Sequence, residues 1–286
     1  MRNKKIFPLL LAAVALSVAA CSSSNSRGEA APELLGIDSL PPDIQNLVRA
    51  VAKNDTLSFA AAVSYPLQRP YPLRDIATDS AMRTYYGVLM DDSLRNVIID
   101  NPGKSWVDCG WRGWSAGDGN YIWFDGGIYA IPYMSKRETA MRDSLVRVEM
   151  ASLYKPMRRG WQPVACYRGV GNDSVFRIDM RQPANKAPQF RLAAYASPAG
   201  LRNRPAAEYL GYRTVDGSAM IETYTFVARD AAGKAVTTVT FTPDFADVEG
   251  YSSISVDRAG GKGRTIRVVP AYWLDLLRPA APPSAK

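Results

Sequence analysis

The chain has 286 residues, 47% hydrophobic and 22% charged, a composition typical of folded proteins. It contains no histidine, which excludes Ser-His-Asp and Cys-His catalysis, imidazole ligation of metals and the imidazole pH switch. The formal charge of +8 includes Arg2, Lys4 and Lys5 at the start, and the other basic residues are scattered, so no nucleic-acid partner is expected.

In chain order, residues 1–20 carry the strongest pattern. A basic start precedes an apolar run from Ile6 to Ala20, too short for a comfortable membrane span, which reads as a secretory signal. Val18-Ala19-Ala20-Cys21 matches the bacterial lipobox, so the segment resembles a lipoprotein signal peptide. That resemblance implies cleavage before Cys21 and acylation of Cys21, with the lipid bilayer as a partner. The competing reading is a plain secretory signal with a chance cysteine. Residues 21–42, rich in Ser, Ala, Gly and Pro, read as a flexible tether. No acidic run follows Cys21, which, by resemblance to known sorting signals, speaks against cell-surface export and for a periplasm-facing protein; the outer membrane is expected rather than the inner.

From Asp43 the pattern turns helical. Ile44, Leu47, Val48, Val51 and Ala52 share one face. Asp55 is placed to cap a second short helix through Val63, and Pro66 follows its end. Tyr71 to Ile76 reads as extended. Asp79 is placed to cap a helix bearing Met82, Tyr85, Tyr86 and Leu89, and the spacing continues through Leu94, Val97 and Ile98. Trp106 to Trp111 reads as a strand. Tyr121 to Asp125 and Ile128 to Tyr133, joined by Gly126-Gly127, read as a β-hairpin. Lys136 to Tyr154 reads as a joining helix with Met141, Leu145 and Val148 on one side. Beyond it, the spacing predicts strands at 164–167, 174–180, 190–195, 219–228, 235–241, 251–256 and 265–269.

Several short motifs carry a wider resemblance. They are Val63-Ser64-Tyr65-Pro66-Leu67, Gly119-Asn120-Tyr121-Ile122-Trp123-Phe124, Phe176-Arg177-Ile178-Asp179, Phe190-Arg191-Leu192-Ala193-Ala194-Tyr195 and Glu222-Thr223-Tyr224-Thr225-Phe226, with Ser152-Leu153-Tyr154 between them. Together they look like uncharacterised secreted lipoproteins of Gram-negative bacteria. The resemblance implies a first domain similar to the cystatin-like cone of the nuclear-transport-factor-two superfamily, and no established activity. The expected class is therefore α+β: a cystatin-like α+β cone over residues 43–155, then a small antiparallel β-sandwich or open barrel over 156–277. Residues 278–286 are expected to be a disordered tail.

Candidate sites are few. Cys109 and Cys166, an even pair in an oxidising compartment, are a disulfide candidate, set against two buried thiols too far apart to bridge. Two cysteines without histidine leave no metal site, and no cofactor is expected. The Trp- and Gly-rich stretch from Ser105 to Ser135 offers a ligand surface at Trp114, Asp118 and Tyr121, with Trp114 partly exposed, while Trp106, Trp111 and Trp123 fill the core. Asp118 and Asp125 read either as paired carboxylates for acid–base work or as ordinary Asp-Gly turns. The expected function is a membrane-anchored periplasmic binding or interaction module without catalysis, its partner peptidoglycan or an envelope protein. The alternatives are a carboxylate-dependent glycan hydrolase of the cell wall and a structural subunit of an envelope complex.

Overall fold

The computed structural model describes residues 34–217, 221–246 and 250–278. The expected signal peptide, the tether with Cys21 up to residue 33, and the tail from residue 279 lie outside the described residues.

The first half is built on helices. On α1 (Pro42–Ala52) the expected stripe of Ile44, Leu47, Val48 and Val51 is at most 1% exposed. Asp55 caps α2 (Thr56–Ala61) by accepting from the Leu57 and Ser58 N–H groups. The cap of α3 (Asp79–Leu89) is Thr78 rather than Asp79, which sits in the first turn, where its charge suits the helix dipole. Asp91 caps α4 (Asp92–Ile99), and a single turn, α5 (Pro102–Ser105), leads into the sheet. Strands β1 (Trp106–Asp108), β2 (Trp114–Ala116), β3 (Ile122–Phe124) and β4 (Ile128–Ala130) form an antiparallel meander in that order. Trp106, Ala116, Ile122, Phe124 and Ile128 face the helices and complete one core with them. This corrects the expected cystatin-like cone. Each strand has three residues, about 10 Å of chain, too little for a sheet to curl around a helix.

The second half is a closed barrel, which corrects the expected sandwich or open barrel. Strands β5 (Gln162–Gly169), β6 (Val175–Arg181), β7 (Gln189–Tyr195), β8 (Ala207–Asp216), β9 (Ile221–Arg229), β10 (Ala235–Ala246), β11 (Ser252–Arg258) and β12 (Arg264–Pro270) pair consecutively and antiparallel. Then β12 returns to β5 through Val268–Gly169, Val269–Arg168 and Pro270–Tyr167. Closure removes every free strand edge. Alternate residues point inward, among them Phe176, Ile178, Leu192, Phe226, Val239, Ile254 and Val268, and fill the interior as a packed core. Gly211 lies opposite Phe226 where a Cβ would fall 2.0 Å from the Thr225 carbonyl oxygen, so only glycine fits there.

Helix α6 (Lys136–Ser152) joins the halves, and its buried face is charged. Met141 and Val148, expected to pack, are exposed, whereas Glu138 and Glu149, three turns apart on one side, are fully buried. Glu138 accepts from Arg69 Nε at 2.7 Å and Nη2 at 2.5 Å, and from the Tyr85 hydroxyl at 2.9 Å. Glu149 pairs with Arg177 on the outer wall of the barrel. From there the charges alternate: Arg177 Nε lies 2.7 Å from Asp179, and Asp179 is 2.6 Å from Arg191 Nη2. Trp273, fully buried in the short closing helix α7 (Trp273–Leu276), stacks 4.9 Å from the Arg177 guanidinium. No helix among the described residues is long and apolar enough to cross a membrane.

Candidate functional site

One end of the barrel opens into a cleft of about 800 Å³, the scale of a small-molecule site. Inward positions at the strand ends make its floor: Tyr167, Met180, Phe190 and Tyr224, with Pro243 and Ser252 beside them. The aromatic rings are locked edge to face, Tyr167 on Phe241 at 4.6 Å and Phe190 on Tyr224 at 5.2 Å between centroids.

The opposite wall is brought by the helical half. Leu67 and Ile76 form an antiparallel bridge, so residues 68–75 make a loop that reaches the barrel mouth. Buried contacts fix this loop at several points. The Arg69 guanidinium is held by Glu138 and by the Ile131 and Tyr133 carbonyls. The Tyr71 hydroxyl donates to Glu149 at 3.1 Å, and the Tyr71 ring stacks on Tyr272 at 6.3 Å, 5° from parallel. The Tyr272 hydroxyl accepts from the Asp75 N–H, and Arg74 pairs with Asp275. Behind Tyr272, a separate hollow of about 440 Å³ lies between α3, α6 and α7.

The charged groups lining the cleft are Arg69, Asp75, Arg142, Arg213 and Glu222. Arg213 and Glu222 pair at 2.7 Å, the guanidinium lying 5.6 Å from the Phe190 centroid. Tyr224 donates to the same carboxylate at 3.0 Å. Burial, reinforced by the Glu222 charge, pushes the Tyr224 hydroxyl well above its ordinary range. Burial also raises Tyr71 and Tyr272. All three phenols are therefore proton donors, not bases, near neutral pH. Cys166 at the back wall is buried, and burial lifts its thiol far above the reactive range. Among the described residues of the lining, neither Cys166 nor Ser252 is hydrogen-bonded to a carboxylate.

Of the candidate residues singled out in the sequence, Cys166 alone among the described residues lines the cleft. Cys109 and Cys166 are both free thiols, not a disulfide. Cys109 sits beside Ser115 in the small sheet, at 3.3 Å from its hydroxyl, whereas Cys166 lies in the apolar layer under α7. Trp114 is half-buried as expected, but it leans on the helical core, as does Tyr121, whose ring stacks on Tyr133 at 4.8 Å. Asp118 is exposed in the β2–β3 turn at φ +53°, next to Gly117, over which the Tyr121 ring lies, and none of the three lines the cleft. Asp125 is exposed in the β3–β4 turn, and neither aspartate lines the cleft. Trp106 fills the core and Trp123 is half-buried, but Trp111, expected inside, is 74% exposed with Arg112 stacked over it at 5.2 Å.

Sequence reasoning missed the cleft because its lining is gathered from all eight barrel strands and the 68–75 loop, and because β8, which brings Arg213, has exposed outward Leu210 and Tyr212 and an inward row broken by Gly211. A usable signal was the polar pair Arg213 and Glu222, at inward positions of two strand ends. No family model matches the chain, nor does any curated protein or solved structure, and the site therefore rests on its own geometry.

Proposed function

We propose that the chain is a lipid-anchored, periplasm-facing lipoprotein that acts as a non-catalytic binding module of the cell envelope. Its ligand, in this reading, is a small molecule or group taken into the barrel-mouth cleft. One observation carries the binding part: a cleft of about 800 Å³ with an aromatic floor and a loop wall fixed by buried contacts. Such a pre-formed cavity loses little entropy on binding. The anchor rests on the lipobox ending at Cys21, and peptidoglycan fragments are the first ligands to try in that compartment.

The test pairs two measurements. Metabolic labelling with palmitate should mark the wild-type chain and not Cys21→Ser. A thermal-shift screen of peptidoglycan fragments and small amphiphiles should find ligands whose stabilisation disappears in Gln162→Trp, a bulky change at an exposed rim position. Ligands that stabilise both proteins equally would place binding elsewhere and end the cleft reading.

A further inference from the structure

Three arginines reach the cleft, and two of them are occupied. Arg69 is consumed by Glu138 and two carbonyls, and Arg213 by Glu222. Arg142, half-exposed on α6, spends only its Nε, which donates to the Tyr71 carbonyl at 2.9 Å. Among the described residues its two terminal nitrogens have no partner. The Nε bond holds the guanidinium plane while leaving its forked end for a ligand, the geometry that takes a carboxylate through two parallel hydrogen bonds. The acids nearby are differently placed. Glu222 already accepts from Arg213 and Tyr224, and Asp75, exposed at the edge, accepts from the Arg69 N–H at 2.9 Å. An unengaged cation thus faces a floor of Phe190, Tyr167 and Met180.

Resting on the cleft reading above, we infer that the ligand is a small amphiphilic monocarboxylate, its apolar body on the aromatic floor and its carboxylate on the Arg142 fork. The experiment is isothermal titration of the full chain in lipid nanodiscs, against empty-disc blanks, with phenylbutyrate, its primary amide and phenylbutylamine. These probes share one apolar body and differ in head-group charge. The carboxylate should bind at least tenfold tighter than the amide, and the amine weakest. Arg142→Gln should abolish that preference by bringing the carboxylate down to the affinity of the amide, and saturable amide binding by this variant shows that the cleft remains intact. Arg142→Lys should restore part of it, because charge survives but the fork does not. Equal binding of carboxylate and amide, a preference that survives Arg142→Gln, or tightest binding of the amine would overturn the inference and leave the cleft reading standing. Absence of saturable binding by all three probes, or binding unaffected by Gln162→Trp, would remove both.

Discussion

Glu138 and Arg69 are the residues whose energetics are easiest to test. Both side chains are fully buried and joined by two hydrogen bonds, so removing one partner strands a charge away from water. Glu138→Ala should cost about 3–5 kcal/mol in chemical denaturation. The apolar pair Arg69→Met with Glu138→Leu should lose clearly less, because no charge is left uncompensated. The two thiols offer a second test at this scale. Cys109 is partly exposed and should react with a maleimide in the native chain, whereas Cys166 should react only after unfolding, as mass spectrometry of the two peptides would show. Unbridged thiols were one of two readings the sequence allowed, but the Glu138 pairing was not legible in it. A glutamate on a helix with several other charges looks solvated until its partner, 69 residues earlier, is placed against it.

At the scale of elements, local chemistry was read well at α1 and α2 but missed by one residue at α3, which Thr78 caps instead of Asp79. Asp55 caps α2 as its position implied, and the periodic stripe of α1 is the buried one. The cap of α4 gives a prediction with a pH dependence. Burial alone would raise the Asp91 carboxyl, but the Leu94 N–H and the Tyr133 hydroxyl, at 3.1 and 2.7 Å, hold it below its ordinary value. The unfolded chain then binds this proton more readily than the folded one. The contribution of Asp91 is therefore complete at neutral pH and fades as pH falls below about 4. Asp91→Ala should cost about 1 kcal/mol at pH 7, and its deficit against wild type should shrink in acid denaturation series. Strand β8 shows where local reading fails. Its inward row of Ala207, Tyr209, Gly211, Arg213 and Val215 is no more apolar than its outward row, where Leu210 and Tyr212 are exposed, so its facing is set by neighbouring strands that only the closed barrel supplies.

Across the whole molecule, the barrel is unevenly sewn. Strands β6 and β7 share seven paired positions, whereas β12 and β5 share three. Native-state hydrogen exchange should therefore show lower protection at Val170 and Ala271, whose N–H groups bond across the seam to the Arg267 and Cys166 carbonyls, than at Ile178 and Leu192. Equal protection across both seams would mean that the barrel opens only by global unfolding. The expected sandwich or open barrel went wrong at this seam, since the pairing of first and last strands leaves no mark in either strand's own sequence.

The seam also has a consequence for synthesis. Strand β5 emerges from the ribosome long before the partner for its second edge exists. Until Val268 to Pro270 arrive, that edge is an open template for other chains. A chain stopped ahead of Arg264 would keep the template exposed permanently, however well its helices and remaining strands had formed. The last strand therefore decides whether a nascent chain becomes a safe monomer or a seed for aggregation.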